Sequence, residues 1–318
     1  MPLPNRSEPT RTLPYGPAAI AAAAAVIARG GCVAVPTETV YGLAADAGDS
    51  HAVAGIYAAK GRPSFNPLIV HVPDLAAAQA LAVFDDHARA LAAAYWPGPL
   101  TLVLPLRDGA PVAALVTAGL PTIAIRVPAH PAMQALLAAC GRPLAAPSAN
   151  ASGSISPTRA AHVLRSLDGR IPLVIDAGPT SQGLESTILA CAHGQVRQLR
   201  PGPIAREAAE ALLGTAIGGA GAGVEAPGQL ASHYAPSKPV RLNATAARAG
   251  EWLIGFGPVA GDATLSATGD LTEAAARLFD ALHDADQSGS AAIAVAPVPD
   301  EALGAAINDR LRRAATPA

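Results

Sequence analysis

Short apolar runs alternate with longer Ala-rich or amphipathic stretches along the first two thirds of the chain. Runs rich in Val, Ile and Leu predict strands, whereas longer apolar-periodic stretches bounded by Gly or Pro predict helices. We predict strands at CVAVPT (32–37), PLIVHV (67–72), LTLVLPL (100–106), TIAIRVP (122–128), PLVIDAG (172–178) and STILACA (186–192). We predict helices at AIAAAAAVIARGG (19–31), SHAVAGIYAAKG (50–61), HPAMQALLAACG (130–141) and SPTRAAHVLRSL (156–167).

Capping residues mark the ends of two of these helices. Asp49 or Ser50 is the expected N-cap of the second helix, which Gly61 ends. Ser156 followed by Pro157 is the expected N-cap and first-turn pair of the fourth helix.

The order of these elements predicts the fold class. Alternating strands and helices are typical of an α/β layer fold, in which helices connect parallel strands. The neighbouring runs at 186–192 and 195–201 are too close for such a crossover, so we expect them to pair antiparallel. The sheet is therefore expected to be mixed, open and twisted, with flanking helices.

The texture of the chain changes after residue 212. Residues 213–238 are rich in Gly, Ala and Pro and have no period, as in a linker or a functional loop. A small second α/β unit is predicted by WLIGFG (252–257), TEAAARLFDALHDA (272–285), AAIAVAPV (291–298) and GAAINDRLRRAA (304–315). We expect a loose leader at 1–14, a large α/β domain at 15–212, a linker or lid at 213–238 and a small α/β domain at 239–318.

Composition restricts the class of protein. Hydrophobic residues make up 51% of the chain and charged residues 14%, which suits a packed core, and a net charge of −2 gives no general attraction for nucleic acid. Three separated cysteines form no CxxC pair, as expected of free thiols in a reducing compartment. The apolar stretch at 17–28 is too short to span a bilayer. These features predict a cytoplasmic protein without a membrane span.

The stretch KGRPSFNPLIVH (60–71) gathers polar groups around one short strand. Lys60 and Arg62 flank Gly61, so both cations can point at one anion. Asn66 can donate or accept a hydrogen bond, and His71 faces opposite to its strand neighbour. The alternatives are a solvated helix end for the two cations and a core histidine for His71.

Two hydroxyl-rich segments follow predicted strands. Thr37 lies in PTETVYGL (36–43), at the strand end where open α/β sheets place ligands. Ser148 and Ser156 lie in PSANASGSISPT (147–158), which could direct hydroxyls and backbone N–H groups at an anion. Ordinary turn chemistry and a flexible polar loop are the alternatives.

Two arginines lie in or beside apolar strands. A hairpin between GLESTI and LRPG would bring Ser186 and Arg200 to the same end. Arg126 lies within TIAIRVP, and a buried guanidinium needs an anion, either a ligand or an internal Asp or Glu.

These candidates together indicate a type of chemistry. The sequence shows no Ser-His-Asp set, no metal-ligand cluster, no GxGxxG and no GxxxxGK[ST]. Scattered cations and hydroxyl donors suit a reaction run by positioning and charge stabilisation, as in phosphoryl and nucleotidyl transfer.

Seven segments of the chain, in their order along it, resemble the motifs of the YrdC family. They are PTETVYGL, KGRPSFNPLIVH, WPGPLTLVL, TIAIRVP, PSANASGSISPT, GLESTI and LRPG. The resemblance covers roughly residues 15–212. HYAP (233–236) and INDRLRRAA (307–315) resemble the long form of this family, which has a linker and a Rossmann-like C-terminal domain. Asp176-Ala177-Gly178 stands where the family usually has Asp-Gly-Gly, and Gln229-Leu230-Ala231 departs from its usual linker motif.

The resemblance implies an activity and a set of partners. L-threonine, bicarbonate or CO2, and ATP with Mg²⁺ would give threonylcarbamoyl-AMP and pyrophosphate. The product would pass to a transferase complex that modifies tRNA, and direct tRNA binding by this chain is expected to be weak or absent.

The resemblance also implies the site residues. Lys60 and Arg62 would be the catalytic cations. The threonine-binding residues would be Thr37, His71, Arg126, Ala146 and Ser186. The ATP-binding residues would be Lys60, Arg62, Asn66, Thr122, Ser148, Ser156, Arg200 and, from the linker, His233 or Tyr234.

Two other interpretations remain open on sequence alone. The basic groups could bind an RNA backbone without catalysis, although aromatic residues for base stacking are only 3% of the chain. Carbamoyl-transferring hydrogenase maturation proteins contain a similar domain, but they carry zinc-finger CxxC pairs that this chain lacks.

Overall fold

The computed structural model describes residues 9–221, 223–229 and 232–316. Ten strands form the sheet of the first domain: β1 (Arg11–Pro14), β2 (Val33–Pro36), β3 (Tyr41–Asp46), β4 (Ile69–His71), β5 (Leu100–Pro105), β6 (Thr122–Arg126), β7 (Leu144–Ala145), β8 (Leu173–Asp176), β9 (Thr187–Ala192) and β10 (Gln195–Arg200). Eight helices accompany it: α1 (Pro17–Ala28), α2 (Ser50–Lys60), α3 (Leu75–Leu81), α4 (Asp86–Tyr95), α5 (Ala114–Thr117), α6 (Pro131–Cys140), α7 (Ala160–Leu167) and α8 (Arg206–Leu213).

The large sheet is mixed, as predicted. Its strand order is β1-β8-β2-β3-β7-β4-β6-β5-β9-β10. Strands β4 and β6 run parallel, with His71 opposite Arg126, so two predicted site residues end adjacent strands side by side. Strands β9 and β10 pair antiparallel, which confirms the predicted hairpin and places Arg200 opposite Ile188.

The C-terminal domain is a small parallel α/β layer. Its strands are β11 (Val240–Arg241), β12 (Glu251–Gly255), β13 (Ala263–Thr264) and β14 (Ala292–Val295), and its helices are α9 (Leu271–Gln287) and α10 (Leu303–Ala314). The strand order β11-β14-β12-β13, with every pair parallel, confirms the Rossmann-like expectation. No helix in the described ranges combines the length and the apolar character that crossing a bilayer requires.

Local signals explain where several elements begin and end. The Asp49 carboxylate accepts the backbone N–H of His51 at 2.8 Å, which caps α2, and Gly61 ends that helix with a φ of 61°. Strand β3 has no clear sequence signal, because YGLAAD has few β-branched residues. It forms because all six of its residues are buried between β2 and β7.

Two sequence predictions about segment ends are wrong. The leader does not extend to residue 14, because residues 11–14 form β1, which pairs in parallel with β8; residues 1–8 lie outside the described part. Ser156 does not cap α7, which begins at Ala160 after Arg159. The Ser156 hydroxyl instead donates to the buried carboxylate of Glu185, and a hydrogen bond to an ionised acceptor is stronger than a neutral cap.

The two domains share a continuous apolar interface. Val40, Ile155 and Leu184 of the first domain lie in the same buried cluster as Phe279 of α9 and Ile307 of α10. This shared cluster packs the small domain against the loops that precede α7 and β9.

Gly183 allows the close approach of the two domains. Its φ is +69°, and a Cβ there would lie 2.4 Å from the Ala275 carbonyl oxygen of α9. Gly194 has a similar φ of +71°, but a Cβ added there would meet no atom within 4 Å. A substitution at Gly194 therefore measures the cost of the left-handed backbone alone, without any contact with α9.

We expect Gly183→Ala to destabilise the full chain more than Gly194→Ala. Both substitutions add about 1–2 kcal/mol of left-handed strain, but only the first forces α9 away from the sheet domain. The measurement is the free energy of unfolding from urea titration. Equal losses for the two variants would contradict close packing at Gly183.

Candidate active site

Most of the predicted site residues line one cavity at the junction of the sheet, the hydroxyl-rich loops and the linker. The cavity lies where β2, β4 and β6 end and where the loop before β9 begins. The predicted residues that line it are Thr37, Arg62, His71, Arg126, Ala146, Ser148, Ser186, Arg200, His233 and Tyr234. Groups that are far apart in sequence therefore face a shared space.

Arg126 is held by an internal carboxylate. Its Nη2 donates to Glu38 Oε1 at 2.5 Å, its Nη1 donates to Thr39 Oγ1 at 2.8 Å, and its Nε donates to the Gly98 carbonyl at 3.2 Å. The second Glu38 oxygen accepts the backbone N–H of Ala129 at 3.0 Å. The alternative left open by the sequence, an internal partner, is therefore what the structure shows.

The Arg126–Glu38 pair still leaves donors for a ligand. A guanidinium has five N–H groups, and the three contacts described above use one on each nitrogen. Burial alone would raise the pKa of Glu38, but the charge of Arg126 and its hydrogen bonds keep that pKa below the usual value. Glu38 stays ionised and orients Arg126, which also faces the cavity.

Lys60 and Arg62 are both buried, so the predicted alternative of a solvated helix end is wrong. Lys60 Nζ donates to the carbonyls of Ser148 and Asn150, at 2.5 Å each. Arg62 donates to the carbonyls of Asn66 and Pro67, at 3.1 and 2.8 Å. Burial lowers the pKa of Lys60 well below its usual value and that of Arg62 to about 10.

Arg200 and Ser186 meet at the end of the β9–β10 hairpin. Arg200 Nη2 donates to the Ser186 carbonyl at 3.0 Å and to the Ser186 hydroxyl at 3.1 Å. The same hydroxyl lies 2.7 Å from that of Thr101. Burial lowers the pKa of Arg200, because the protein interior disfavours its charge. An anion bound nearby would interact favourably with that charge.

Glu185, the residue before Ser186, connects the cavity to the C-terminal domain. Its carboxylate accepts from Ser156 and from Arg310 of α10, the latter at 2.8 Å. Burial would raise the pKa of Glu185, but the charges of Arg310 and Arg200 lower it. Arg310 is fully buried and lies 5.2 Å from the ring centroid of Tyr234.

Buried polar atoms without a protein partner mark where a ligand could bind. Among the described residues these include both amide atoms of Asn66 and the Nδ1 atoms of His71 and His233. Burial lowers the pKa of each of these two histidines to about 3, so both imidazoles are neutral at pH 7. Such unpaired groups are costly in a protein interior, and a polar ligand would satisfy them.

The linker forms one wall of the cavity. Pro227, Gly228, His233 and Tyr234 form part of its lining, and the remaining space is about 40 Å³, enough for roughly three water molecules. Gln229 caps the turn before it by accepting the backbone N–H of Glu225 at 2.7 Å. Leu230 and Ala231, which depart from the usual linker motif, lie outside the described residues.

Four predicted residues do not line the cavity directly. Lys60 lies behind the loop that carries Ser148, and Asn66 lies beside Arg62. Ser156 is turned toward Glu185, as described above. Thr122 begins β6 at the opposite end from Arg126, next to Pro105.

Sequence reasoning missed three groups. Glu38 lies inside the quoted PTETVYGL motif, and the requirement of Arg126 for an anion was the signal that could have identified it. Thr39 and Arg310 gave no such signal, because only the folded chain brings them to Arg126 and Glu185.

The arrangement can bind anions but offers no prepared nucleophile among the described residues that line it. Arg62, Arg126 and Arg200 face the cavity, and the Ser186 and Thr37 hydroxyls are hydrogen-bonded to Thr101 and Thr39 rather than to a base. Cations and donors fixed in a buried site stabilise charge that develops on a substrate.

Two family models match the chain. The model for Sua5, YciO and YrdC proteins, described as telomere recombination, matches residues 25–202. The model described as threonylcarbamoyl-AMP synthase, C-terminal domain, matches residues 204–316. The two matches together cover both structural domains.

Relatives match over nearly the whole chain. A threonylcarbamoyl-AMP synthase of Bacillus subtilis is 41% identical over 93% of this chain and 92% of its own length. One of Pyrococcus abyssi is 39% identical, with 92% of each chain covered. The crystal structure of Pyrococcus abyssi Sua5 complexed with L-threonine aligns with a TM-score of 0.87 and 37% identity over 96% of each chain.

We expect Glu38→Ala to lower the free energy of unfolding by about 3–5 kcal/mol, because it leaves the Arg126 cation buried without its carboxylate. Denaturant titration measures this loss. Arg277→Ala, which breaks an exposed pair with Glu273, is the control and should change stability little. Adding Arg126→Ala to Glu38→Ala should recover part of the loss, and a fully additive double variant would contradict the coupling.

Proposed function

This chain belongs to the Sua5/YciO/YrdC family, in its long form, and on that premise we propose that it is a nucleotidyltransferase that makes L-threonylcarbamoyl-AMP and pyrophosphate. The substrates would be L-threonine, bicarbonate or CO2, and ATP. The observation that carries the proposal is the convergence of Arg62, Arg126 and Arg200 on one cavity, where the described lining offers hydroxyl donors and no nucleophile. The threonine complex of the Pyrococcus abyssi relative supports the same substrate class.

Threonine would bind at the Arg126 end of the cavity. The N–H groups of Arg126 not used by Glu38, Thr39 and Gly98 would hold its carboxylate, with Thr37, Ala146 and Ser186 around it. His71 is neutral and its Nδ1 is free, so it can accept a hydrogen bond from the substrate without adding charge.

The triphosphate would bind at the Arg62 and Arg200 end. A carbamate oxygen would attack the α-phosphorus, and the bond from that phosphorus to the bridging oxygen would break as pyrophosphate leaves. Arg62 and Arg200 would stabilise the leaving charge, and Lys60 would act by holding the Ser148 loop and through its own charge. We retain Asn66, Thr122, Ser156, His233 and Tyr234 as proposed ATP-binding residues.

Mg²⁺ would enter as the counter-ion of ATP. The two carboxylates beside the cavity, Glu38 and Glu185, are already paired with Arg126 and Arg310. Substrate phosphates and water molecules are the usual ligands of Mg²⁺ when the protein offers few free oxygen atoms.

The linker would act as a lid that opens to admit substrates. A nucleotide cannot fit in about 40 Å³, so Pro227, Gly228, His233 and Tyr234 must move before ATP binds. A closed site would then shield the carbamate and the mixed anhydride from water.

The product would feed threonylcarbamoyladenosine modification of tRNA by a separate transferase complex, and direct tRNA binding would be weak or absent.

Cys32, Cys140 and Cys191 are free thiols, which supports the proposed cytoplasmic location.

The first test is incubation with ATP, bicarbonate and each amino acid in turn, with pyrophosphate release as the readout. We expect release with threonine and its loss by at least about 100-fold in Arg62→Ala and Arg126→Ala, because each removes a buried charge that would contact substrate. Arg29→Ala, an exposed arginine after α1, is the control and should keep full activity. Tight, salt-sensitive tRNA binding without threonine-dependent release would instead favour the RNA-binding alternative.

The second test concerns the C-terminal domain. Arg310→Met should lower kcat/KM for ATP by at least about tenfold, because Glu185 loses its partner and Tyr234 its cation. Arg312→Met, on the exposed side of the same helix, is the matched control and should leave kinetics unchanged. Unchanged kinetics in Arg310→Met would remove the proposed link between this domain and the site.

A further inference from the structure

Two histidines from different domains stack at the domain interface. His162 of α7 and His283 of α9 have ring centroids 3.8 Å apart and ring planes inclined by 24°. Both side chains are buried. The contact lies outside the cavity described above, and both rings form part of the wall of a second, more open cleft beside residues 151–155.

Hydrogen bonds show which nitrogens carry protons. The backbone N–H of Thr158 lies 3.3 Å from His162 Nδ1, which must accept that bond and be unprotonated. His283 Nε2 lies 3.2 Å from the Ser156 carbonyl, so it carries a proton and donates. A proton added at His162 Nδ1 would point at the backbone N–H of Thr158, and two N–H donors cannot form a hydrogen bond with each other. The contact therefore requires a neutral His162.

The surrounding charges do not compensate for a charged imidazole. Asp280 lies 3.8 Å from His162 Nδ1, but it already accepts from Arg159 at 2.5 Å and from Thr158 at 2.5 Å. Arg165 disfavours protonation of both histidines, and Arg159 disfavours that of His162. Asp280 favours protonation of both rings, and the Ser156 carbonyl and Asp286 favour that of His283, but desolvation by burial is the largest effect on each ring and disfavours the charged form. Two imidazolium rings in contact would repel each other.

We propose that the His162–His283 stack is an acid-sensitive clasp between the two domains, which opens when either ring is protonated. Opening would free α9 from α7 and release the Ser156 carbonyl, and with it the loop that borders the cavity. The proposal concerns domain docking in the ligand-free chain, so it stands or falls separately from the proposed reaction.

The direction of the pH effect follows from burial. Burial lowers the pKa of His162 to about 3 and that of His283 to about 4, whereas an exposed histidine has an ordinary pKa of 6.5. Docking therefore favours the neutral rings. The stabilisation is complete above pH 6.5 and is lost progressively as the pH falls toward the docked values.

The test must separate this pair from other buried histidines. His71 and His233 also have lowered pKa values and would respond to acid. His283→Gln keeps an N–H donor for the Ser156 carbonyl but cannot titrate. His51→Gln, at an exposed histidine on α2, is the matched control.

The experiment measures the rate at which proteinase K cleaves the full-length chain within residues 183–186, which are buried beside α9 in the docked form, between pH 7.5 and pH 5. Each wild-type rate is divided by that of His283→Gln at the same pH, which cancels the pH profile of the protease. Because cleavage follows the population of the open form, we expect this ratio to rise about 25-fold from pH 7.5 to pH 5. The ratio of wild type to His51→Gln should stay constant.

A ratio that stays flat, with both proteins folded by circular dichroism at pH 5, would overturn the proposal. If His283→Gln fails to fold, His283→Phe provides a second non-titrating ring. An NMR titration of the imidazole protons gives an independent measure. Signals of His162 and His283 that titrate near pH 6.5 in the docked protein would also overturn the proposal.

Discussion

The structure depends on the burial of several cations in one small volume. Lys60, Arg62, Arg126, Arg200 and Arg310 are all buried, and a buried charge is tolerated only when it is paired or richly hydrogen-bonded. Arg126 and Arg310 are each paired with a glutamate carboxylate, whereas Lys60, Arg62 and Arg200 donate hydrogen bonds to backbone carbonyls. The carbonyl-bound cations keep an excess of positive charge beside the cavity, which an anionic substrate would neutralise.

Glu185 makes the two domains one functional unit. It joins Ser156 of the hydroxyl-rich loop to Arg310 of the C-terminal helix, and it directly precedes Ser186 of the cavity wall. The apolar cluster around Phe279 supports the same junction from the side. The geometry of the site therefore depends on a domain that contributes no residue to the described lining of the cavity.

The period of apolar residues was enough to predict the longer strands, a mixed α/β sheet and a small second α/β unit, because those strands are apolar runs with clear ends. The Rossmann-like character of the second unit was implied by the resemblance to the YrdC family. Period and motif order together were also enough to identify most of the cavity lining. They missed the short strands β7, β11 and β13, the helices α3, α4, α5 and α8, and also β3, whose stability comes from burial rather than propensity. They also misplaced Ser156, because its Glu185 partner is 29 residues away, and they left the anion of Arg126 undecided between Glu38 and a ligand. Long-range pairing of charges is a property of the folded chain and has no local sequence period.

The nearly filled cavity has a kinetic consequence. With room for only about three waters, the substrate-free protein holds its binding groups behind His233 and Tyr234. The space between the binding groups in this form is smaller than a nucleotide. With the proposed lid, capture therefore cannot be faster than the movement of the segment that carries His233 and Tyr234, however much nucleotide is added. The observed rate constant for nucleotide binding should then reach a plateau at high nucleotide concentration. The value of that plateau would give the rate at which the segment opens.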